Sequence, residues 1–420
     1  MSAKLARLGV RAPVWLSALL CVAVAGCGAG ASDDAEPTTL RILMTDDWGD
    51  TPAFLAAVRD FEQAHRGVRV QVSLESIRNM ARAVRSQIED GNPVDIAQWH
   101  AFAAGSDGLA EPLDDLWGEH DLSESEFFEG AMADVTWDGL KYGVPLDTNA
   151  LILMLRDENF ESAGLGGTAG FESFGQLQEA AAALTGDGGS RRALAVPTSG
   201  WRTFGWIRAN GGDLLQFAED GSPRFTLDSP RVVQTLEFLS SLIRQGSAFA
   251  PVGASSTADS LALFRSGAAA IYPSGSWDFA VLDEQMPDSG FTVAPMPGGL
   301  DGSSGSSAMG GSSLFVPKGA PNKRLAFEFM QMLTSDPYAL RLAEEEGRLP
   351  ARVEIYEDEF FQDDRFRVVQ EQLETAQPLL LEAFPEAFEA YVNAVNAILG
   401  DGADAGETLR EAQMAAEQSQ

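Results

Sequence analysis

Cysteine is nearly absent from this sequence. Cys21 and Cys27 are its two cysteines among 420 residues, and both lie near the N-terminus. The rest of the chain therefore has no thiol pair for a disulfide, no cysteine nucleophile and no cysteine metal ligand. Such a chain must be held together by its hydrophobic core alone, and its length allows a core of that size.

Cationic residues are scarce. The sequence has 29 Lys and Arg against 62 Asp and Glu, a formal net charge of −33, which becomes −36 once the three cations of residues 1–26 are removed. Phosphate binding needs clustered Lys and Arg, so nucleic acid is excluded as a partner. The acidic residues are spread along the chain, which favours a solvated surface over an acidic binding face.

Catalytic and metal-binding motifs are also missing. The three histidines (65, 100 and 120) lack metal-ligand spacing, and no GxSxG, HExxH or Walker segment occurs. We therefore predict no metal, no cofactor and no catalytic residue. Carboxylates are plentiful, so a secreted glycoside hydrolase stays open as an alternative, although abundance alone does not nominate an acid and a base.

The N-terminus has the features of a lipoprotein signal peptide. Lys4, Arg7 and Arg11 precede an apolar run over 12–24 that is too short to span a bilayer, and small residues precede Cys27. We predict a signal peptide over 1–26, a lipid on Cys27 that anchors the protein to a membrane, and a disordered tether over 27–38. An ordinary signal peptide with an incidental cysteine is the alternative.

The remaining chain alternates strand and helix signals, which predicts an α/β fold. An apolar strand over 40–44 is followed by a helix that starts at Pro52, and residues 68–74 alternate with the period of a strand. The last hundred residues have apolar spacings of three and four, which predicts several helices.

Residues 264–317 hold the most informative stretch. Apolar runs over 268–272 and 291–296 read as short buried strands that end in Pro/Gly/Ser turns. The first turn places Trp277 and Asp278 at a strand end, and a glycine-rich segment then leads to a third strand near Gly310. An aromatic ring and a carboxylate at the mouth of a strand indicate a cleft.

Several segments together resemble the extracellular solute-binding proteins of ABC importers, the maltose-binding-like family 1. The segments are DIAQW (95–99), DGLKYGVPLDTNALILM (138–154), FRSGAAAIYPSGSWD (264–278), APMPGG (294–299), GGSSLFVPKGAPNKRLAFEFMQMLTS (310–335) and EGRLPAR (346–352). The resemblance implies a type II periplasmic-binding-protein fold, with two lobes of mostly parallel sheet flanked by helices. The implied lobes are 39–145 with 308–356 and 146–307 with 357–420, joined by a hinge that the chain crosses three times.

A sugar presents hydroxyls and flat apolar faces, so its site needs aromatic rings beside polar side chains. Trp near Asp, Asn, His or Arg at predicted strand ends, together with positions matching the family, gives the candidate binding residues. They are Trp48, Trp99, His100, Asp147, Trp201, Trp277, Asp278, Gly311 and Arg352. All but His100 have a structural alternative: core packing for the tryptophans, turn capping for Asp147, a place in the first turn of a helix for Asp278, hinge flexibility for Gly311 and a surface ion pair for Arg352.

The resemblance implies a monomeric receptor that closes on a sugar and delivers it to membrane permease subunits of an ABC transporter. The protein would be exported, and anchored to the outer face of the cytoplasmic membrane or held in the periplasm. A polyamine would suit the acidic composition, so a receptor for a polyamine or another small polar solute remains an alternative.

Overall fold

The computed structural model describes residues 37–419, apart from 47, 168, 219, 254, 288, 289, 303 and 304. The predicted signal peptide, Cys27 and nearly all of the predicted tether lie outside these residues. No helix in the described part is both long enough and apolar enough to cross a membrane.

Strands and helices alternate through the first third of the described chain. In order they are β1 (Thr38–Thr45), α1 (Pro52–Ala64), β2 (Val68–Glu75), α2 (Met80–Glu89), β3 (Ile96–Trp99), α3 (Ala101–Ser106), α4 (Asp114–Glu119), α5 (Glu129–Val135), β4 (Thr136–Trp137), β5 (Leu140–Lys141) and β6 (Gly143–Ala150). Thr51 has extended backbone and Pro52 occupies the first turn of α1, a combination that starts a helix without losing a backbone hydrogen bond.

The middle third continues the alternation. It contains β7 (Ile152–Arg156), α6 (Asp157–Ser162), α7 (Phe174–Leu184), β8 (Arg192–Ala195), α8 (Gly200–Ala209), β9 (Leu215–Phe217), β10 (Pro223–Phe225), α9 (Pro230–Arg244), β11 (Ala248–Phe249), α10 (Ser256–Arg265), β12 (Ala269–Ser274), α11 (Phe279–Gln285) and β13 (Phe291–Ala294).

The last third is mostly helical, as the apolar spacing predicts. It contains β14 (Met309–Phe315), α12 (Lys323–Leu333), α13 (Asp336–Glu346), β15 (Leu349–Pro350), α14 (Asp364–Leu373), α15 (Pro385–Gly400) and α16 (Ala405–Gln418). Helix α13 ends at Gly347, whose φ of 68° lies in the left-handed region that glycine adopts without strain.

Two larger sheets and two short ribbons organise these strands. The first sheet has the order β15-β6-β14-β3-β1-β2, the second has the order β11-β8-β12-β7-β13, and the ribbons are β4–β5 and β9–β10. Both sheets are mixed rather than mostly parallel. The reason is that β7 and β14, the first strands after the chain passes from one sheet to the other, run antiparallel to both of their neighbours.

The passage between the sheets is short. Strand β6 lies in the first sheet, β7 lies in the second, and Leu151 is the one residue between them. The sequence pattern restarts after Pro145 and predicts a strand over 150–155, and the family resemblance implies that the passage lies near Val144–Pro145. In the structure Pro145 lies inside β6, opposite the irregularity in register between Ser312 and Ser313 of β14.

Two large clusters of buried apolar residues form a first and a second hydrophobic core. Phe54, Phe61 and Phe327 are fully buried in the first core, and Phe174 and Trp206 in the second. Burying one such side chain contributes roughly 1.5–3 kcal/mol. The first core also includes residues of β7 and β12 from the second sheet, so it continues from one sheet to the other.

Candidate functional site

Two cavities adjoin each other where elements of both cores meet. The smaller, which we call the His100 cavity, has a volume of about 360 Å³ and is lined by His100, Phe102, Trp201, Gly310, Gly311 and Glu382 among others. The larger, the Arg348 cavity, has a volume of about 820 Å³ and is lined by Asp147, Asp283, Arg348, Phe360 and Arg365 among others. Asn149 and Trp277 line both, so together the cavities form one cleft. A groove of about 600 Å³ beside α9 has walls without any indole or histidine ring, which makes it a weaker candidate.

His100 follows β3 and carries a positive charge. Its Nδ1 lies 2.7 Å from Oδ1 of Asp134, and its Nε2 lies 3.7 Å from Oε2 of Glu382. Burial acts to lower the pKa of His100, but Asp134, then Glu382 and Asp147, outweigh it and raise that pKa to about 9. Burial in turn raises the pKa of Glu382. The imidazolium is therefore a hydrogen-bond donor in the wall of the His100 cavity.

Asp147 ends a chain of buried hydrogen bonds that ties β6, β14, β3 and β1 together. Its Oδ1 accepts from the backbone N and Oγ of Ser312, at 2.8 and 2.6 Å. Gln98 Nε2 donates to Ser312 Oγ at 2.9 Å, and Thr45 donates to Gln98 Oε1. These bonds hold the carboxylate rigidly at the wall of the Arg348 cavity.

Two indole rings meet in the cleft. Trp201 lies in the first turn of α8, where Ser199 caps the helix, and its Nε1 donates to Met309 O at 3.1 Å. Trp277 lies on a 3₁₀ turn over Ser276–Asp278, and its ring centroid is 5.8 Å from that of Trp201 with an interplanar angle of 62°. Trp277 remains 36 % exposed, so it offers apolar ring surface to a bound molecule.

Three glycines shape the space around these rings. A Cβ on Gly275 would lie 2.1 Å from the ring of Trp277, and a Cβ on Gly310 would lie 2.5 Å from Oδ1 of Asn149 and 3.0 Å from the ring of Trp201. Gly311 has a φ of 121°, which L-residues with side chains rarely adopt. Close approach and backbone freedom both require glycine here.

Asn149 carries an unused hydrogen-bond acceptor. Its Oδ1 is buried and has no hydrogen-bond partner within the described part of the chain, and the residue lines both cavities. A buried polar atom without a partner costs free energy, and a hydroxyl of a bound molecule would satisfy it. In the sequence, Asn149 belongs to the same family-like segment as Asp147 (138–154) and is a weaker candidate than Asp147.

Five of the nine predicted binding residues line the cavities: His100, Asp147, Trp201, Trp277 and Gly311. The other four, Trp48, Trp99, Asp278 and Arg352, do not.

Trp48 is 2 % exposed and packs in the first core, with the guanidinium of Arg348 over its ring at 5.1 Å. Arg348 lines the Arg348 cavity, and Trp48 does not. Trp99 packs against Phe102, Ala103 and Ala383. Trp99 is the last residue of β3 and Trp48 comes three residues after β1, and both rings pack against apolar residues.

The two remaining side chains have structural partners. Asp278 accepts from Ser274 Oγ at 2.5 Å beside the start of α11. Arg352 is buried, forms an ion pair with Glu126 and lies over the ring of Phe127 at 4.9 Å. The ion pair is the alternative that the sequence leaves open for Arg352, whereas the Asp278 side chain makes no capping hydrogen bond to α11.

Glu382, Phe102, Arg348 and Arg365 line the cavities, but the sequence patterns did not single them out. Glu382 lies in a 3₁₀ turn over Leu380–Ala383 that the sequence does not mark as a cleft segment. Arg348 belongs to the family-like segment EGRLPAR, which also contains Arg352. This segment is the feature of the sequence that could have identified Arg348 as a cleft residue. No group of three or more His, Cys, Asp or Glu within the described ranges could hold a metal ion.

Comparison with known proteins supports one family. Residues 56–367 match the family model described as bacterial extracellular solute-binding protein. The diacetylchitobiose binding protein DasA of Streptomyces coelicolor is 24 % identical over 355 residues, which cover 79 % of this chain and 79 % of that protein.

Solved structures share the fold. The sugar-binding protein MalE from Xanthomonas citri superposes with a TM-score of 0.79 at 19 % identity, over 91 % of this chain and 97 % of that one. UgpB from Mycobacterium tuberculosis, solved with glycerophosphocholine, gives a TM-score of 0.76 at 19 % identity, over 92 % and 98 % of the two chains. These similarities confirm the predicted α/β fold of the two-lobed periplasmic-binding type.

Proposed function

The chain belongs to the bacterial extracellular solute-binding proteins, and we propose that it is the receptor of an ABC importer for a carbohydrate. The observation that carries the proposal is the Trp201–Trp277 pair in a cleft whose walls also hold the imidazolium of His100 and the unused acceptor of Asn149. Rings can stack on the apolar faces of a sugar, while the polar groups bond to its hydroxyls. DasA, by its name, binds such a molecule.

Closure of two lobes is the proposed mechanism of capture. The predicted lobes, 39–145 with 308–356 and 146–307 with 357–420, each contribute to the cleft: His100 and Gly311 from one, Trp201 and Trp277 from the other. A sugar that touches both sides binds the closed state better, and it shifts the population toward closure by that difference in affinity. The closed protein would then dock on membrane permease subunits.

We propose binding without catalysis. Solute-binding proteins release their cargo unchanged, and the carboxylates of Asp134 and Asp147 already accept hydrogen bonds from neighbouring side chains. A glycoside hydrolase needs one free acid and one free base on either side of a glycosidic bond.

The proposal includes export and anchoring of a monomer. Residues 1–26 would be cleaved, and a lipid on Cys27 would hold the protein at the outer face of the cytoplasmic membrane, or in the periplasm. Metabolic labelling with a radioactive fatty acid tests the anchor, since Cys27→Ser would remove the label while leaving the folded part unchanged.

A thermal-shift screen tests the ligand class. Its probes are maltotriose, diacetylchitobiose, an arabinooligosaccharide, glycerophosphocholine and spermidine. We expect a sugar to raise Tm, because it binds the native state alone, and to be recovered intact. The largest rise with spermidine or glycerophosphocholine would contradict the carbohydrate assignment, and steady release of shorter sugars would favour the hydrolase.

Trp277→Ala tests the site itself. Removal of the exposed ring should weaken binding of the sugar found in the screen by at least about 30-fold, the effect of losing a binding hot spot. Tm of the unliganded variant should stay within a few degrees, since the ring is partly exposed. Leu300→Ala is the control: it removes a half-exposed apolar side chain outside both cavities. Normal binding by Trp277→Ala in calorimetry would remove this residue from the site.

A further inference from the structure

Arg202 is a buried cation directly behind the cleft. It lies in the first turn of α8 beside Trp201, is 7 % exposed, and its Nη1 donates to the carbonyl of Pro273 at 3.1 Å. Among the described residues it forms no ion pair with a carboxylate. A buried charge needs compensation, so its other contacts must supply it.

Two aromatic rings face the guanidinium. The guanidinium carbon lies 5.5 Å from the ring centroid of Trp277 and 5.7 Å from that of Tyr272. Cation–π attraction is strongest where water is excluded, as it is around this side chain. Arg202 thus joins α8 to the end of β12 and to the turn that carries Trp277.

Trp277 needs such a support. Its 3₁₀ turn is short and its ring is 36 % exposed. A large side chain on an exposed turn otherwise samples several rotamers, and ordering it on binding would cost affinity. The ring of Trp201 contacts the ring of Trp277 at an angle of 62° and is one restraint on it. The guanidinium of Arg202 is the second restraint.

We propose that Arg202 positions the ring of Trp277 and makes this part of the cleft favour neutral over cationic sugars. The second half rests on the proposed function. The guanidinium already engages the π electrons of Trp277, and it repels an ammonium group placed near the same ring. A neutral sugar ring meets no such repulsion.

Fluorine NMR tests the positioning role without any ligand. In protein labelled with 5-fluorotryptophan, the resonance of Trp277 is the one that Trp277→Phe removes. Arg202→Met should shift and broaden this resonance, and Arg202→Lys, which keeps the charge, should restore it in part. An unchanged Trp277 resonance in Arg202→Met would overturn the positioning role.

Arg192→Met is the matched control. Arg192 also stacks on a ring, with its guanidinium carbon 4.4 Å from the centroid of Phe249, and it also donates to a backbone carbonyl, that of Ala248 at 2.8 Å. It does not line the cleft. The control should therefore leave the Trp277 resonance in place; a shift of equal size would mean that loss of any stacked arginine has this effect.

Calorimetry with a matched pair of sugars tests the charge preference. Diacetylchitobiose is neutral, whereas its deacetylated form carries two ammonium groups at mildly acidic pH. Wild type should bind the neutral sugar more tightly than the charged one. Arg202→Met should reduce the ratio of the two Kd values by about tenfold, which corresponds to roughly 1.4 kcal/mol. An unchanged ratio would overturn the charge preference. If wild type binds no sugar in the screen, the proposed function and the charge preference fall together, while the NMR result still decides the positioning role.

Discussion

His100 shows how strongly one residue depends on its surroundings. Burial alone would keep its ring neutral, yet Asp134 on α5, Glu382 on the 3₁₀ turn and Asp147 on β6 together hold the proton on it. Among the three histidines of the sequence, this one follows a predicted strand and matches a family segment, which is why it could be chosen without the structure. Its carboxylate partners could not, because they are distant in sequence.

Stability should fall above neutral pH because of His100. Its folded-state pKa of about 9 lies above the ordinary value of 6.5, so the stabilisation is complete below pH 6.5 and is lost as pH rises through about 9. The shift corresponds to about 3 kcal/mol in the free energy of unfolding. Urea unfolding at several pH values should show this loss in wild type and not in His100→Gln.

His120→Gln is the control for that measurement. His120 is also half-buried, but its Nδ1 faces the amide of Gln331 at 3.0 Å instead of a carboxylate. This variant should keep the pH dependence of wild type. Equal pH dependence in His100→Gln and wild type would contradict the assigned charge of His100.

The candidate residues that line the cleft differ in a physical way from those that do not. Trp277 lies after a turn with a glycine under its ring, so the indole stays at the surface; Trp48 follows a strand with core on every side and is buried. Periodicity predicts that a residue ends a strand. It does not tell whether the side chain then turns inward, because that depends on neighbours from other segments.

At the scale of elements, two hairpins meet beside the cleft. Trp137 of the β4–β5 hairpin lies 5.4 Å from Phe217 of the β9–β10 hairpin and 5.9 Å from Phe384. The first hairpin contacts α3 and α5, and Leu215 and Phe225 of the second hairpin pack in the second core. These short ribbons were not predicted, since strands of two or three residues leave no periodic signal.

Trp137→Ala should loosen the contact between the hairpins. An aromatic pair contributes about 0.5–1.5 kcal/mol, which is roughly a two- to tenfold change in the ratio of joined to separated hairpins. Small-angle X-ray scattering of the unliganded variant should give a larger radius of gyration than wild type. Leu140→Ala on the same hairpin removes an exposed side chain and should give the wild-type value. Equal radii in all three proteins would show that the ring contact does not restrain the hairpins.

At the scale of the whole molecule, the excess of acid distinguishes between ligand classes. The Arg348 cavity contains the carboxylates of Asp147, Asp283 and Glu344–Glu346 beside the cations of Arg348 and Arg365, so it shares the negative balance of the chain.

The α/β alternation and the helical C-terminal third were predictable from the sequence, because each follows from local periodicity. The mixture of parallel and antiparallel strands was not predictable, because strand direction depends on where the chain passes from one sheet to the other.

Salt should leave the affinity for a neutral sugar nearly unchanged. Raising ionic strength from about 0.01 M to about 1 M shortens the screening length from about 30 Å to about 3 Å, and this weakens attraction between charges alone. Calorimetry across that range should therefore show a constant Kd for the sugar found in the screen, whereas any weak binding of spermidine should disappear. A sugar Kd that rises steeply with salt would indicate that charge carries the recognition.

The two cleft indoles are also a pair of chromophores. At 5.8 Å and 62° their ultraviolet transitions couple as an exciton, and that coupling gives a split circular-dichroism band whose sign depends on how one ring is turned relative to the other. Any guest that slides between or against them would change this band. Circular dichroism of the two indoles should therefore report ligand binding in the cleft without any dye or label.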